Sequence, residues 1–376
     1  MDLDIYDELI DNDTVKKLDT TFNVEIKNNK VYDQKGSFIC WIYAAINMIR
    51  NKIVDQFGEK IEISANYISF FDRYEKLNLL YDKIINTECQ YSQIKYLLYD
   101  YINTCGDFSS FKYLIKKYGV VLEHQMPIKE NNFIPNDINE LIKEKVINDI
   151  DIIINKKSNK CNIKQLYNLK ERMMLENYEI LSNIFGKPPT KIDLQYLNFG
   201  KEMTPVEFTN VYINHILEDY VEIISLSKMD YNQKYKLDFN VPNLNNTEYL
   251  NLNINDIKRG IINSLKNKQP VWFGCSYRFM SASCKNKNGI LFNNLYDFEK
   301  IGIKKLEKCI AEKYDFLNYD HAMLFTGVNI VDNKPISWKV LNSFGIQNNN
   351  KGYLVMDNDF FDENVFLFAI KKDYLS

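Results

Sequence analysis

Hydrophobic residues recur at intervals of three and four positions through most of the first two thirds of the chain. From position 39 onward this spacing predicts a helix over residues 40–55. Its apolar positions include Ile42, Ala45, Ile46, Ile49 and Ile53. Ser64 is a candidate cap for the helix that follows. Further helices are predicted over residues 111–118, over 136–185 as two or three helices, after the capping box at 204–207, and over 255–266.

The last third of the chain changes to short apolar runs rich in β-branched and aromatic residues. They lie at residues 271–274, 321–328, 338–341, 352–355 and 365–370. Each run is bounded by Gly, Asn, Asp or Pro, which is typical of strands. Together they predict a largely antiparallel sheet or partial barrel. The whole pattern therefore predicts an α+β fold, with a helical lobe led by Cys40 and a β lobe.

The composition argues against nucleic-acid and membrane partners. The chain has 376 residues, 45% of them hydrophobic, and a formal net charge of −3. No apolar run approaches the length of a membrane span, and the first residues lack the features of a signal peptide. Seven cysteines, an odd number without CxxC pairs, favour reduced thiols, so we expect a cytoplasmic protein. Three histidines without a spaced Cys/His set predict no metal site, and we expect no cofactor.

Cys40 stands where a loop enters the first long helix. Unpaired backbone N–H groups and the positive end of the helix dipole favour a thiolate at such a position. Gln34 lies upstream in the loop, and a loop that folds back brings its side-chain amide beside the sulfur. With the backbone N–H of Cys40, that amide would form an oxyanion hole. The alternative interpretation of Cys40 is a buried cysteine on a core helix.

Two polar residues at strand ends complete a candidate catalytic set. His321 begins a predicted strand, and Asn342 ends another. If these strands are neighbours, Asn342 can bond one ring nitrogen of His321 and direct the other at Cys40. The other histidines, His124 and His215, are interpreted as surface or hydrogen-bonded side chains. The order Cys, His, Asn along the chain is that of one known type of catalytic triad.

The segment QKGSFICWIYAAIN at residues 34–47 resembles the active-site segment of papain-like cysteine peptidases, and within them the bleomycin hydrolase (aminopeptidase C) group. The likeness continues through most of the chain. It implies a papain-like two-lobe fold with inserted helices and peptide substrates. It also implies that Cys40 and His321 rest as a thiolate–imidazolium pair and that the reaction passes through an acyl-enzyme.

The resemblance also assigns residues that line the substrate site. The loop at Gly106 would pair with the substrate backbone, and Cys105 replaces a second glycine of the family. Phe38 occupies a position that is glycine in most papain-like segments, so its ring is expected to narrow the pocket. Trp41 directly follows the nucleophile. Phe344 replaces the tryptophan that shields the His–Asn bond from water in the family.

The expected layout is a single papain-like catalytic domain in four parts. These are an N-terminal arm (1–33), a helical lobe (34–130), a helical insertion (131–265) and a β lobe carrying His321 and Asn342 (266–376).

The end of the chain leaves the mode of cleavage open. In the bleomycin hydrolase group a C-terminal arm enters the cleft, and its carboxylate binds the free amine of the substrate. Here that arm is expected to be missing or very short. The resemblance implies an aminopeptidase and a homo-oligomer, a hexamer in that group, whereas an open cleft would permit endopeptidase cleavage. Two further alternatives are a catalytically silent peptide-binding homologue and an acyl transferase that uses the same residues.

Overall fold

The computed structural model describes residues 8–16, 19–27, 29–58, 61–88, 90–128, 135–193, 202–237, 244, 246–276, 289–347 and 350–375. Within these ranges no helix is both long and apolar enough to cross a membrane. Five described cysteines, at positions 40, 105, 161, 275 and 309, are free thiols. The other two, Cys89 and Cys284, lie outside the described residues.

The helices begin and end largely where the sequence pattern predicts. In chain order they are α1 (Asn12–Lys16), α2 (Cys40–Phe57), α3 (Ala65–Asn86), α4 (Tyr91–Ile102), α5 (Phe108–Tyr118), α6 (Pro135–Ser158), α7 (Ile163–Phe185), α8 (Pro205–Tyr212), α9 (Asn214–Leu217), α10 (Ile254–Lys266), α11 (Lys308–Lys313) and α12 (Asn358–Asn364). The hydroxyl of Ser64 accepts the N–H of Tyr67 and caps α3, as predicted. The segment 136–185 forms two helices, α6 and α7.

The strands of the described residues form a ten-stranded mixed sheet, which makes up the β part of the fold. Its strands are β1 (Val24–Glu25), β2 (Tyr220–Ile224), β3 (Lys234–Lys236), β4 (Glu248–Asn251), β5 (Val271–Cys275), β6 (Ile290–Leu291), β7 (His321–Val331), β8 (Lys334–Leu341), β9 (Tyr353–Asp357) and β10 (Val365–Lys371). The order across the sheet is β3-β4-β2-β10-β5-β7-β8-β9-β6, with β1 paired to β7. Most pairs are antiparallel, as predicted, but β2–β4 and β6–β9 are parallel.

The sheet separates two hydrophobic cores because successive side chains of a strand point to opposite faces. On β7, Ala322 and Leu324 pack into the core shared with the helical lobe, whereas Met323 and Phe325 pack on the other side. Helices α10 and α12 contribute to that second core. The helical lobe therefore lies against one face only. Since α2 carries Cys40, this packing brings Cys40 to the end of β7 at which His321 begins the strand.

The segment before α2 is fixed to the strand ends of the β lobe. β1 pairs with the middle of β7. Asp33 forms an isolated antiparallel bridge with Phe344, and the N–H of Gln34 donates to the carbonyl of Ser343 at 2.9 Å. The loop that leads to Cys40 thus runs beside the segment that contains Asn342.

Candidate active site

Cys40 is the first residue of α2, and its side chain is buried. The turn before it closes through a bond from the N–H of Ser37 to the carbonyl of Gln34 at 2.9 Å. The backbone N–H of Ala322, the second residue of β7, contacts the Cys40 Sγ at 3.4 Å. The start of α2 and the start of β7 therefore meet at the sulfur, and His321 is the residue directly before Ala322.

His321 and Asn342 form the bond that their positions at strand ends predict. Strands β7 and β8 are antiparallel neighbours, so the first residue of β7 and the residue after β8 lie at the same edge. The His321 Nε2 and the Asn342 Oδ1 are 2.9 Å apart, and both side chains are buried. Because this bond uses Nε2, Nδ1 is the ring nitrogen that remains for the chemistry at Cys40.

Phe344 packs beside the imidazole. The ring centroids of His321 and Phe344 are 5.3 Å apart, with 33° between the ring planes. An aromatic ring in this position keeps water from the edge of the His321–Asn342 pair, and it limits rotation of the imidazole.

Burial shifts both titratable groups of the pair toward their uncharged forms. It raises the pKa of the Cys40 thiol to about 11, a shift that the backbone N–H groups of Ala322, Trp41 and Cys40 itself oppose. Burial also lowers the pKa of His321 to about 4, although the hydrogen bond that His321 donates to Asn342 and the charge of Asp320 both favour the imidazolium. A single charge on either group is therefore disfavoured at neutral pH.

Gln34 is buried at the same cavity as Cys40 and His321. Its side-chain Oε1 has no hydrogen-bond partner among the described residues. A buried amide oxygen without a partner is unusual in a folded chain. The Gln34 side chain is therefore not held in place by a hydrogen bond from another described residue to its oxygen.

The cavity has a volume of about 680 Å³ and opens beside the sulfur. Besides Cys40, Gln34 and His321, it is lined by Asp33, Gly36, Phe38, Trp41, Leu98, Tyr99, Ile102, Asn103, Thr104, Cys105, Asn139, Glu140, Lys143, Tyr319, Asp320 and Phe344. Phe38 lies at its rim, 53% exposed and with a positive φ of 55°, so the ring does not fill the cavity. Four of the predicted lining residues, Phe38, Trp41, Cys105 and Phe344, do line it.

Gly106 belongs to the loop that was expected to pair with the substrate backbone, and that role stays a prediction. It is buried behind the cavity wall rather than lining it, and the wall itself consists of residues 103–105. A Cβ at Gly106 would lie 2.4 Å from the ring of Trp41. This close approach of backbone to an indole ring is a physical reason for glycine at the position. Cys105 lines the cavity, and burial raises the pKa of its thiol to about 11.

Sequence reasoning missed two walls of the cavity. Helix α4 supplies apolar residues, and helix α6 supplies Asn139, Glu140 and Lys143. Helical spacing shows that these helices have an apolar face, but not which polar residues the packing turns toward a distant cysteine.

The two remaining histidines lie apart from the cavity. His124 bonds Asp193 at 3.0 Å, and His215 lies 3.5 Å from the side chain of Gln56. Across the described part of the chain, no group of three or more His, Cys, Asp or Glu side chains is arranged to hold a metal ion.

Comparison with known proteins finds relatives that align over most of the chain. Residues 1–376 match the Peptidase C1-like family. Aminopeptidase C of Listeria innocua is 33% identical over 371 residues, which cover 94% of this chain and 83% of that protein. Aminopeptidase C of Lactobacillus helveticus is 29% identical over 379 residues, covering 95% and 83%. The crystal structure of PepW from Lactobacillus rhamnosis HN001 matches with a TM-score of 0.88 and 30% identity, over 99% of this chain and 86% of that one.

The match to PepW confirms the papain-like α+β fold that the sequence predicts. The family match covers every residue of the chain, and the relatives align over nearly all of it. The chain belongs to the Peptidase C1-like family and is a cysteine-type peptidase.

Proposed function

We propose that this protein is a cysteine aminopeptidase of the bleomycin hydrolase type that hydrolyses small peptides. The observation that carries the proposal is the meeting of Cys40, His321 and Gln34 at one cavity, with Asn342 bonded to the ring of His321. Relatives that align over most of the chain are named Aminopeptidase C, which supports the aminopeptidase activity.

In the proposed reaction, His321 accepts the proton of the Cys40 thiol. Burial disfavours either charge alone, but this transfer creates a thiolate and an imidazolium together and leaves the net charge of the site unchanged. The backbone N–H of Ala322, 3.4 Å from Sγ, stabilises the thiolate, and Asn342 stabilises the imidazolium. The sulfur then attacks the carbonyl carbon of the scissile peptide bond.

The tetrahedral intermediate collapses when His321 gives its proton to the leaving amine. The C–N bond breaks, the amine departs, and the acyl group remains on Cys40 as a thioester. His321 then accepts a proton from water as the water attacks the thioester. Release of the acid returns Cys40 and His321 to their starting protonation.

Gln34 and the N–H of Cys40 are the proposed donors to the oxyanion. Gln34 is buried and lies at the same cavity as Cys40, which supports this role. Preorganised donors of this kind cost no reorganisation when charge develops on the substrate oxygen.

A second candidate is an endopeptidase, and the packing of residues 371–375 favours it. The residues after β10 pack on α10: the carbonyl of Tyr374 accepts from Asn263 at 3.5 Å, and Leu375 lies over Gly260. The described residues 371–375 do not line the cavity. Residues 371–375 therefore supply no group to the cavity that would select a free amine.

Matched peptides with free and acetylated N-termini distinguish the two candidates. An aminopeptidase cleaves only the free form and releases its first residue. Equal cleavage of both forms, or cleavage at an internal bond, would contradict the aminopeptidase proposal and support an endopeptidase. The same assay in the presence of an acceptor amine separates hydrolysis from acyl transfer, because transfer yields a new amide product.

A third candidate is a catalytically silent, peptide-binding homologue, and chemical labelling of Cys40 tests it. An epoxide inhibitor of papain-like peptidases, E-64, should attach to Cys40 stoichiometrically if the pair is competent. The open cavity and the exposed position of Phe38 support competence, since the ring leaves room beside the sulfur. No adduct at Cys40 under conditions that label a known peptidase would favour the silent homologue.

We also propose that the protein is cytoplasmic and forms a homo-oligomer. The free thiols among the described cysteines fit a reducing compartment such as the cytoplasm. The resemblance to the bleomycin hydrolase group suggests a homo-oligomer. Light scattering of the purified protein tests it: a particle of six chains agrees with that suggestion, and a monomer contradicts it.

A further inference from the structure

A buried lysine stands directly behind the wall of the cavity. The ammonium of Lys76, on α3, donates to the carbonyl of Asn103 at 3.2 Å and to the carbonyl of Cys105 at 2.5 Å. Its third acceptor is the carboxylate of Asp72, one turn earlier on the same helix, at 2.7 Å. An ammonium has three N–H donors, so these three acceptors match its capacity.

The same loop is fixed at two further carbonyls. The indole Nε1 of Trp41 donates to the carbonyl of Thr104 at 2.8 Å, and the hydroxyl of Tyr319 donates to the carbonyl of Gly106 at 2.6 Å. Four consecutive carbonyls, from residue 103 to residue 106, thus accept from buried donors. Because the N–H of the next residue points opposite to each carbonyl, the N–H groups of Thr104 and Gly106 are directed away from Lys76.

Stability alone does not account for this ion pair. The side chains of Lys76 and Asp72 are 0% and 2% exposed, and the Oδ1 of Asp72 has no hydrogen-bond partner among the described residues. Removing two charges from water is costly, and buried ion pairs often contribute no more stability than apolar side chains of the same volume. What Lys76 provides that an apolar side chain cannot is a fixed position for two carbonyls of the cavity wall.

We propose that Lys76, held by Asp72, is a positioning residue that sets residues 103–105 at the distance from Cys40 that a bound peptide requires. The inference rests on the proposed peptidase function. Lys76 does not itself line the cavity; it acts through the backbone of Asn103 and Cys105. A loop displaced by about 1 Å would misalign the substrate carbonyl with the sulfur.

The test replaces the ion pair by apolar side chains of similar size, Asp72→Leu with Lys76→Met, so that no charge is left buried without a partner. We expect kcat/KM for a peptide substrate to fall on the order of 10²-fold. Alkylation of Cys40 by iodoacetamide, which needs no contact with the loop, should keep its wild-type rate. Amide hydrogen exchange at residues 103–106 should become faster.

The control is a second ion pair, Lys258 and Asp362, which are 2.6 Å apart on the far side of the sheet; the Lys258 side chain is buried, and that of Asp362 is 36% exposed. Lys258→Met with Asp362→Leu should leave both kcat/KM and the exchange of residues 103–106 unchanged. An equal loss of kcat/KM in the control would overturn the proposal, because a general loss of stability would then explain both results.

Other outcomes also test the positioning role of Lys76. If the apolar pair folds and cleaves peptides like the wild type, or if iodoacetamide alkylation falls in parallel with cleavage, Lys76 has no positioning role. If that variant does not fold, Asp72→Asn decides, since it keeps the ammonium but weakens its anchor. A lower kcat/KM with faster loop exchange supports the proposal, and wild-type values of both refute it. If the wild type cleaves no peptide, the proposed function fails, while loop exchange still tests the position of the loop.

Discussion

Replacing Gly106 by alanine tests how tightly the cavity wall packs on the helix that carries the nucleophile. A Cβ at this position would lie 2.4 Å from two ring carbons of Trp41. Non-bonded carbons are comfortable at about 3.5–4.0 Å, so the loop and the indole would have to separate by about 1 Å. The indole is fully buried and bonded to the carbonyl of Thr104 at 2.8 Å, so the loop rather than the ring is expected to move.

Two effects determine how much stability Gly106→Ala loses. Overpacking of a buried site costs about 1–3 kcal/mol. If the movement also breaks the bond between Trp41 and Thr104, the buried indole N–H loses its partner, which costs about 1–3 kcal/mol more. We therefore expect the free energy of unfolding to fall by about 2–5 kcal/mol. Because residues 103–105 line the cavity, kcat/KM should fall on the order of 10²-fold.

Chemical denaturation and steady-state kinetics on one peptide substrate measure both effects. Gly260→Ala is the matched control, since its Cβ would meet the flexible end of Leu375 at 3.0 Å, on α10 and away from the cavity. Its kcat/KM should equal that of the wild type. Wild-type stability and kcat/KM for Gly106→Ala would refute the packing argument, because the loop would then have accepted the methyl group without moving.

Three further predictions concern the reacting groups. Gln34→Ala should lower kcat about 10²–10³-fold with little change in KM, because the oxyanion forms only in the transition state; a purely KM effect in steady-state kinetics would contradict the role. Asn342→Ala should lower kcat about 10–10²-fold, because the imidazolium of His321 loses the bond at 2.9 Å that holds it; an unchanged kcat would show that Phe344 alone orients the ring. The plot of kcat/KM against pH should be broad. Between the two pKa values, Cys40 and His321 share one titratable proton. The pair takes up a second proton, on His321, only below its lowered pKa of about 4, and it loses its remaining proton, from Cys40, only above its raised pKa of about 11. Limbs at the ordinary values of 6.5 and 9.0 would contradict the burial of the pair.

Three of the four candidate catalytic residues were accessible from the sequence because each stands at the end of a regular element. Cys40 begins an apolar helix, His321 begins a strand, and Asn342 follows a strand. Local periodicity finds such ends well. The one step that periodicity could not supply was the pairing of β7 with β8, and the short turn at Asp332 and Asn333 joins them as antiparallel neighbours.

The rest of the site depends on packing between distant segments. Gly106 lies against Trp41, and no local pattern reports that approach. The position of β10 between β2 and β5 and the parallel β6–β9 pair arise in the same way from tertiary contacts. The burial of the charged residues Asp72 and Lys76 behind the cavity also follows from tertiary packing.

The central claim is that Cys40 is the nucleophile of a peptidase, and a substitution at that one sulfur tests it most directly. Cys40→Ala and, as a control, Cys309→Ala, which changes an exposed free thiol, are assayed on the same peptide and exposed to the same epoxide inhibitor. The account predicts that Cys40→Ala neither cleaves the peptide nor forms an adduct, whereas Cys309→Ala does both like the wild type. Cleavage at the wild-type rate by folded Cys40→Ala would contradict it.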